Sequence, residues 1–424
     1  MVKEDEVNKK IRVEETVPTD YLPEDLIVDL LSRLPVKSLL RFRCVCKLWY
    51  ALITDPAFVK MHLSRSLVSS SNLSIIFRSL GGPNLNFSEF RVSEFHSYSD
   101  DLDASLQQAV VELNHPFKPP RTCYVVGSCN GLLCVYLRNS EEEILMLWNP
   151  STRRHQKLSL PSKEYPNLDY IVYGFGHDST TDDYKIVRIV KCLGALDSVV
   201  NVFSHSTNTW RRIGHMPFCL NYPHFPMLLA NSALHWFANR EPKPNDISSF
   251  IVSFDLQDEE YRELPLPDFH FDFVKNYVGM KLGVLGGQLC VLCPYPGFLL
   301  DVWVMKDYGV RGSWEKQFSI QQPCGMRHNL YFLRPMCYSK NGEVIFQMDI
   351  NTLVLYDPRT GRARNLRIHG VPDKFYTEFY VGSLVPLNGK DGTEQEKRKK
   401  IVPLIAEDGT EQAKRKKKNM KQRG

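Results

Sequence analysis

No apolar run in this chain approaches the roughly 18 residues that would suggest a membrane span. The charged opening MVKEDEVNKK likewise lacks the apolar core of a secretory leader. Together these absences lead to the expectation of an intracellular protein, cytoplasmic or nuclear, with no membrane partner. Metal-ligand clusters are also missing. The 12 histidines are dispersed without His-x-x-x-His spacing. Cys290 and Cys293 have no second pair, and residues three apart in a strand face opposite sides. The chain holds neither a Gly-x-Ser-x-Gly nucleophile turn nor a Gly-x-x-x-x-Gly-Lys phosphate loop. Asp182 and Asp183 read as turn residues ahead of a strand rather than as an acid–base pair. The expectation is a protein without catalysis, metal or cofactor.

Positive charge is scarce where it would matter. The formal net charge is +5, but residues 389–424 hold 12 Lys or Arg against 6 Asp or Glu. Taking these from the totals of 53 and 48 leaves a body of 41 basic and 42 acidic residues. A neutral body offers no broad phosphate-gripping surface, so direct nucleic-acid binding is not expected. The 11 cysteines are odd in number and scattered through strand-like runs such as GLLCVYL and GQLCVLC. That usage fits small buried hydrophobes in a reducing compartment.

Four zones are present. Residues 1–20 are mixed in charge and poor in large apolar groups, which predicts disorder. Residues 21–63 carry helical periodicity and residues 70–387 strand patterning. Residues 388–424 form a basic tail, also expected to be disordered, with a local duplication: DGTEQEKRKK from Asp391 and DGTEQAKRKKK from Asp408. Its clusters, Lys397, Arg398, Lys399, Lys400 and Lys414, Arg415, Lys416, Lys417, Lys418, suit a nuclear import signal or a solvated charge run.

The third zone repeats. ILMLWNPSTRRHQKLSLP, VVNVFSHSTNTWRRIGHMP, FIVSFDLQDEEYRELPLP, LDVWVMKDYGVRGSWEKQFSI and LVLYDPRTGRARNLRI share one plan of strand, polar turn and strand. Their aligned aromatics are Trp148, Phe203, Phe254, Trp303 and Tyr356, at spacings of 55, 51, 49 and 53. A lone antiparallel sheet of that size cannot bury both faces, and radial packing of several such sheets can. The fold class expected is therefore α+β and multidomain: three to four short helices, then an all-β propeller-like domain of about six blades. The two chain ends should share a blade and close the ring. An open β-sandwich is the competing fold. The aromatic stretches 214–226 and 267–277 suit either binding loops or packing between blades.

In the helical zone, Leu26, Ile27, Leu30, Leu31 and Leu34 follow the spacing of one helix face. Pro23 suits the first helical position, and Glu24 and Asp25 put negative charge in the first turn. Pro35 ends this helix, two short ones follow, and Asp55-Pro56 opens a fourth with Asp55 as its cap. Such a module is marginal alone and holds more apolar surface than it can bury, so something else must cover it.

YLPEDLIVDLLSRLPVKSLLRFRCVCKLWYALITDPAF resembles an F-box, the motif that seats a substrate receptor on the Skp-family adaptor of a cullin–RING ubiquitin ligase. Matching positions are Leu22-Pro23, Leu30, Leu31, Leu34-Pro35, Leu39, Val45, Cys46-Lys47, Trp49 and Asp55-Pro56. GSCNGLLCV, LWNPSTRR, YGFGHDSTTDDYKIV, TWRRI and LVLYDPRTGRARNL are similar to the F-box-associated domain of plant F-box proteins. The resemblance implies a non-catalytic substrate receptor that holds a target protein for ubiquitination and proteasomal degradation. Its partners would be the adaptor and, through it, cullin and RING subunits. Adaptor-binding residues would be Leu22, Pro23, Leu26, Ile27, Leu30, Leu31, Leu34, Pro35, Leu39, Val45, Cys46 and Trp49. Some family members act in defence and others in pollen–pistil recognition, with a lean here to defence or stress signalling. The alternative is an adaptor-bound scaffold acting outside ubiquitination. Family members tend to end soon after a stretch like YVGSLVPL, so the basic tail is a departure.

Overall fold

The computed structural model describes residues 22–69, 72–79, 90–94, 111–112, 122–138, 142–161, 168–192, 198–216, 218–220, 227–240, 250–268, 280–295, 299–321, 333–339, 341–366, 368 and 370–387. The terminal zones 1–20 and 388–424, with both basic clusters, lie outside the described residues, as do most of 267–277 and much of 214–226.

Four helices open the chain: α1 (Glu24–Ser32), α2 (Val36–Phe42), α3 (Lys47–Thr54) and α4 (Pro56–Val68). Pro23 is the N-cap of α1 and Pro35 that of α2, so each proline stands one residue ahead of its helix, where its missing N–H costs no hydrogen bond. Asp55 caps α4 as expected, its Oδ1 accepting from the Ala57 and Phe58 N–H groups at 2.8 and 3.1 Å. Asp29 of α1 pairs with Arg65 of α4 at 2.7 Å. His62, fully buried, sits 2.9 Å from the Leu34 carbonyl. Burial holds its pKa below the ordinary value, so the ring is neutral and its Nε2–H donates there.

Among the described residues, six antiparallel sheets follow in a ring. Blade I comprises Thr122–Cys129, Leu132–Arg138, Glu143–Asn149 and Arg154–Leu158. Blade II runs from Leu168–Asp178 to Thr209–Met216, and blade III from Cys219–Leu220 to Tyr261–Leu264. Blade IV spans Lys281–Leu285 to Trp314–Gln321, and blade V Leu333–Tyr338 to Arg362–Asn365. The sixth is composite. The C-terminal strand Phe375–Val381 pairs antiparallel with Leu73–Ser79, followed outward by Phe90–Glu94 and Val111–Glu112. The chain ends thus close the ring within one sheet, which removes the exposed edges of an open array.

The aligned aromatics all lie on the third of the four main strands of a blade. Trp148, Phe203 and Phe254 are fully buried and Tyr356 nearly so, whereas Trp303 beside a bulge is half-buried. Just past them, Asn149, Asp255 and Asp357 accept backbone N–H groups two residues on, which sets the tight turn into the outer strand. Cys290 packs in one apolar cluster and Cys293 in another, on opposite faces of their strand.

Side-chain hydrogen bonds bridge the seams between blades. The Trp210 indole donates to the Ser159 carbonyl between blades I and II at 2.6 Å, and Lys185 to the Leu256 carbonyl between II and III at 2.6 Å. His235 meets the Tyr308 hydroxyl between III and IV at 2.7 Å, and the Tyr356 hydroxyl donates to the Ser319 carbonyl between V and IV at 2.8 Å. Gln347 of blade V donates to the Phe375 carbonyl and accepts from the Thr377 N–H and hydroxyl. The last seam, between the composite blade and blade I, is closed by residues 382–387.

Candidate docking surface

Residues 382–387 leave the closing strand as a strap that joins helices to propeller. Leu384, Val385 and Leu387 belong to one apolar cluster with Leu31, Leu39, Ile53 and Phe58 of the helices and Val126, Leu132, Leu147 and Phe175 of blades I and II. Asn149, wholly buried, donates to the Ser383 and Val385 carbonyls at 3.1 and 2.9 Å. Its Oδ1 accepts from the Ser151 and Thr152 N–H groups at 3.0 and 3.2 Å. The Asn130-Gly131 hairpin turn supports the strap from below. Gly131 has φ +81°, and a Cβ there would lie 2.2 Å from Ser383 Oγ and 2.5 Å from the Val381 carbonyl. On the rim, Lys60 of α4 pairs at 2.6 Å with Asp182, a turn residue with φ 54°. The helices are therefore seated on the blade I and II end that carries the tight turns 130–131, 150–153 and 179–182.

The cluster takes up only part of the helices' apolar inventory. Leu26 and Leu30 stand one turn apart on α1 and Leu22 lies just ahead of its cap; the three are 50%, 55% and 59% exposed. Around α2 and α3, Val45, Leu48 and Tyr50 are 60%, 53% and 56% exposed. Pro23, Pro35 and Cys46 are exposed beside them. Ile27, Leu34 and Trp49 are half-buried and pack on the cluster, Trp49 edge-on to Phe42 with ring centroids 5.4 Å apart.

Leu31 and Leu39 are 3% and 0% exposed. Both sequence-derived candidates serve the interior: Leu31 because consecutive helical residues stand about 100° apart and α1 is apolar over two adjacent faces, Leu39 as a core residue of α2. Leu48 and Tyr50 went unnoticed in the sequence because a Leu and a Tyr inside a helical run look like core. With Leu67 and Val68 of α4, eight large apolar side chains stay in solvent on this small module, the kind of patch that a partner covers.

The family signature YGFGHDSTTDDYKIV is structural. Lys185, nearly buried, meets Asp178 at 2.9 Å and Glu259 at 3.2 Å. Desolvation acts to raise the Asp178 pKa, yet hydrogen bonds from Thr181, Lys185 and the Thr180 N–H outweigh it and hold the group at about 2. Asp183 accepts from Ser204 and Ser206. Among the described residues, no group of three or more His, Cys, Asp or Glu side chains is disposed to hold a metal, and no helix is long and apolar enough to cross a membrane.

The fold joins a small helical module with an exposed apolar face to a closed β-propeller. The chain belongs to the F-box proteins that carry an associated propeller. Residues 20–61 match the F-box domain and residues 85–387 the F-box associated beta propeller domain. Among curated relatives, it is 34% identical over 389 residues to F-box protein CPR1 of Arabidopsis thaliana, covering 86% of this chain and 88% of that one. F-box/kelch-repeat protein At3g23880 of the same plant is 30% identical over 350 residues, covering 80% and 89%. Among solved structures, TolB from Acinetobacter baumannii aligns with a TM-score of 0.43 at 11% identity over 76% of this chain and 71% of that one. That likeness is too remote to bear on function.

Proposed function

We propose that this chain is the substrate-recognition subunit of an SCF-type ubiquitin ligase. Its helices dock on a Skp-family adaptor, and through it on cullin and RING subunits, while the propeller holds a target protein for ubiquitination and degradation. The observation that carries this reading is the set Leu22, Leu26 and Leu30 with Val45, Leu48 and Tyr50, exposed on and beside helices whose own core is already filled. Burying each such side chain contributes about 1.5–3 kcal/mol, offset by the cost of association.

The chain's own task is proximity. A target held on the ring gains effective concentration near the charged enzyme, and no bond need be broken by this subunit. The strap suits that task because it fixes the propeller relative to the docking helices. With the helices on the tight-turn end, the opposite end of the ring is the face free for a target.

Expression of the wild type and of Leu26→Glu/Leu30→Glu in plant cells tests the reading. The wild type should co-purify with adaptor and cullin and lower the abundance of at least one protein in a proteasome-dependent way, and the variant should do neither. Adaptor capture without cullin would point to a scaffold acting outside ubiquitination. Failure of the wild type to retrieve the adaptor defeats both.

A further inference from the structure

Blade II holds a row of buried polar groups that its surroundings leave unbonded. Tyr173, Arg188 and Asn201 stand directly opposite one another on three neighbouring strands, so their side chains share one face of the sheet. They are 2%, 5% and 8% exposed. The Tyr173 hydroxyl, Arg188 Nε and Nη1, and Asn201 Nδ2 have no hydrogen-bond partner. The hydroxyl feels the Arg188 charge, but no aligned bond joins the two. That face is turned to blade I: Tyr173 packs on Tyr136 with ring centroids 5.6 Å apart, and Tyr136 on Tyr124 at 4.8 Å. Burial raises the pKa of all three phenols, Tyr173 to about 12, so each hydroxyl keeps its proton to donate. The unbonded atoms of the row are thus all donors. Arg188 adds a positive charge that no described acid balances, since Glu143 nearby is paired with Arg138 at 3.6 Å. Arg188 lies six residues beyond Asp182 and Tyr124 six ahead of Asn130. At about 3.3 Å per residue the row is about 20 Å from the tight turns beneath the helices, toward the end of the ring left free.

We propose that this row is the seat of an oxyanion, a carboxylate or a phosphate, that enters the seam between blades I and II and meets the Arg188 guanidinium with the hydroxyl and amide beside it. The proposal deepens the receptor reading above and rests on it for the source of the anion, a side chain of the target held on that end of the ring. Buried polar groups are almost always bonded, so several orphaned donors at one place call for an acceptor. A water would satisfy a donor but would leave the charge uncompensated, whereas an oxyanion supplies both lone pairs and countercharge. Guanidinium suits that role because it stays charged when buried and its planar donors match carboxylate and phosphate oxygens. An empty seat costs stability, since a buried cation without a partner is unfavourable. Binding and stability therefore pull Arg188 in opposite directions, which a purely structural arginine would not show.

The full-length chain is melted in sodium phosphate and in sodium chloride at equal pH and ionic strength. Phosphate should raise the wild-type melting temperature by about 2 °C or more. Arg188→Met, which sets an apolar chain of similar length in place of an unpaired charge, should melt no lower than the wild type in chloride and gain nothing from phosphate. Tyr173→Phe, which loses only the hydroxyl, should gain less than the wild type. A wild type indifferent to phosphate, or an Arg188→Met chain that gains as much, overturns the proposal. So does an Arg188→Met chain that melts well below the wild type in chloride, because the arginine is then structural. Retention of proteins from a plant extract by wild type and Arg188→Met, with and without added phosphate, gives the source of the anion. A protein held by the wild type alone and released by phosphate puts the anion on the target; equal retention beside a wild-type phosphate gain overturns that source and leaves a free small anion in the seat. Adaptor binding by the helices should be the same in both chains. Its failure strikes the docking reading, and the melts still decide the seat.

Discussion

Replacing Asn149 tests the strap directly. Its side chain makes four hydrogen bonds with no solvent access: two to strap carbonyls at 2.9 and 3.1 Å, and two from turn N–H groups at 3.0 and 3.2 Å. Asn149→Ala removes all four and orphans two buried carbonyls and two part-buried N–H groups. At about 1 kcal/mol per bond, the loss is about 4 kcal/mol, and more if the orphaned groups find no water. Asn149→Asp separates the two halves. It keeps an acceptor for the Ser151 and Thr152 N–H groups but turns a carboxylate oxygen toward two carbonyl oxygens, so it should be at least as damaging. Chemical denaturation gives the free energy, and hydrogen exchange at residues 383–387 reports whether the strap has loosened. A loss below about 1 kcal/mol in the alanine variant, with unchanged amide protection at those residues, would refute the clamp.

Three further outcomes are expected. Gly131→Ala should destabilise by about 1–3 kcal/mol from its left-handed backbone alone, with the clash against Ser383 adding to it; a melting temperature equal to wild type contradicts this. Burial holds His235 at about 4, below its ordinary 6.5, so the folded state favours the neutral ring. Its contribution is intact above pH 6.5 and is lost as pH falls toward about 4, amounting to ~3 kcal/mol. Unfolding free energies between pH 7 and 5 should therefore depend less on pH in His235→Gln, and an unchanged slope counts against this. Finally, we expect residues 388–424 fused to a reporter to carry it into the nucleus; a reporter that stays out removes the import reading of the basic clusters.

Much of the architecture was legible because propeller strands announce themselves by repetition. The aromatics from Trp148 to Tyr356 could be aligned by eye, and each stands on the third of its blade's four main strands. The shared closing blade followed from unmatched strand-like runs at both ends of the zone, and Leu73–Ser79 pairs with Phe375–Val381 accordingly. Turn chemistry was equally plain at Asp182, which sits in the turn ahead of Asp183–Cys192.

The docking surface was only partly legible. Leucines on adjacent faces of α1 are indistinguishable in periodicity, and only tertiary packing sends Leu31 inward and leaves Leu26 and Leu30 in water. The strap was hidden for a different reason. GSLVPL has no strand alternation and no helical spacing, and its partner Asn149 lies more than 230 residues away in sequence. The motif LWNPSTRR marks Asn149 as a turn former, which it is, but no local signal shows the same side chain clamping the C-terminal segment.

The most direct measurement is an equilibrium titration of the purified full-length chain with a Skp-family adaptor, beside Leu26→Glu/Leu30→Glu. Both substitutions fall on exposed positions, so the variant should melt with the wild type. The account predicts saturable binding by the wild type and none detectable by the variant at the same concentrations. Equal binding by the two, or none by either, contradicts it.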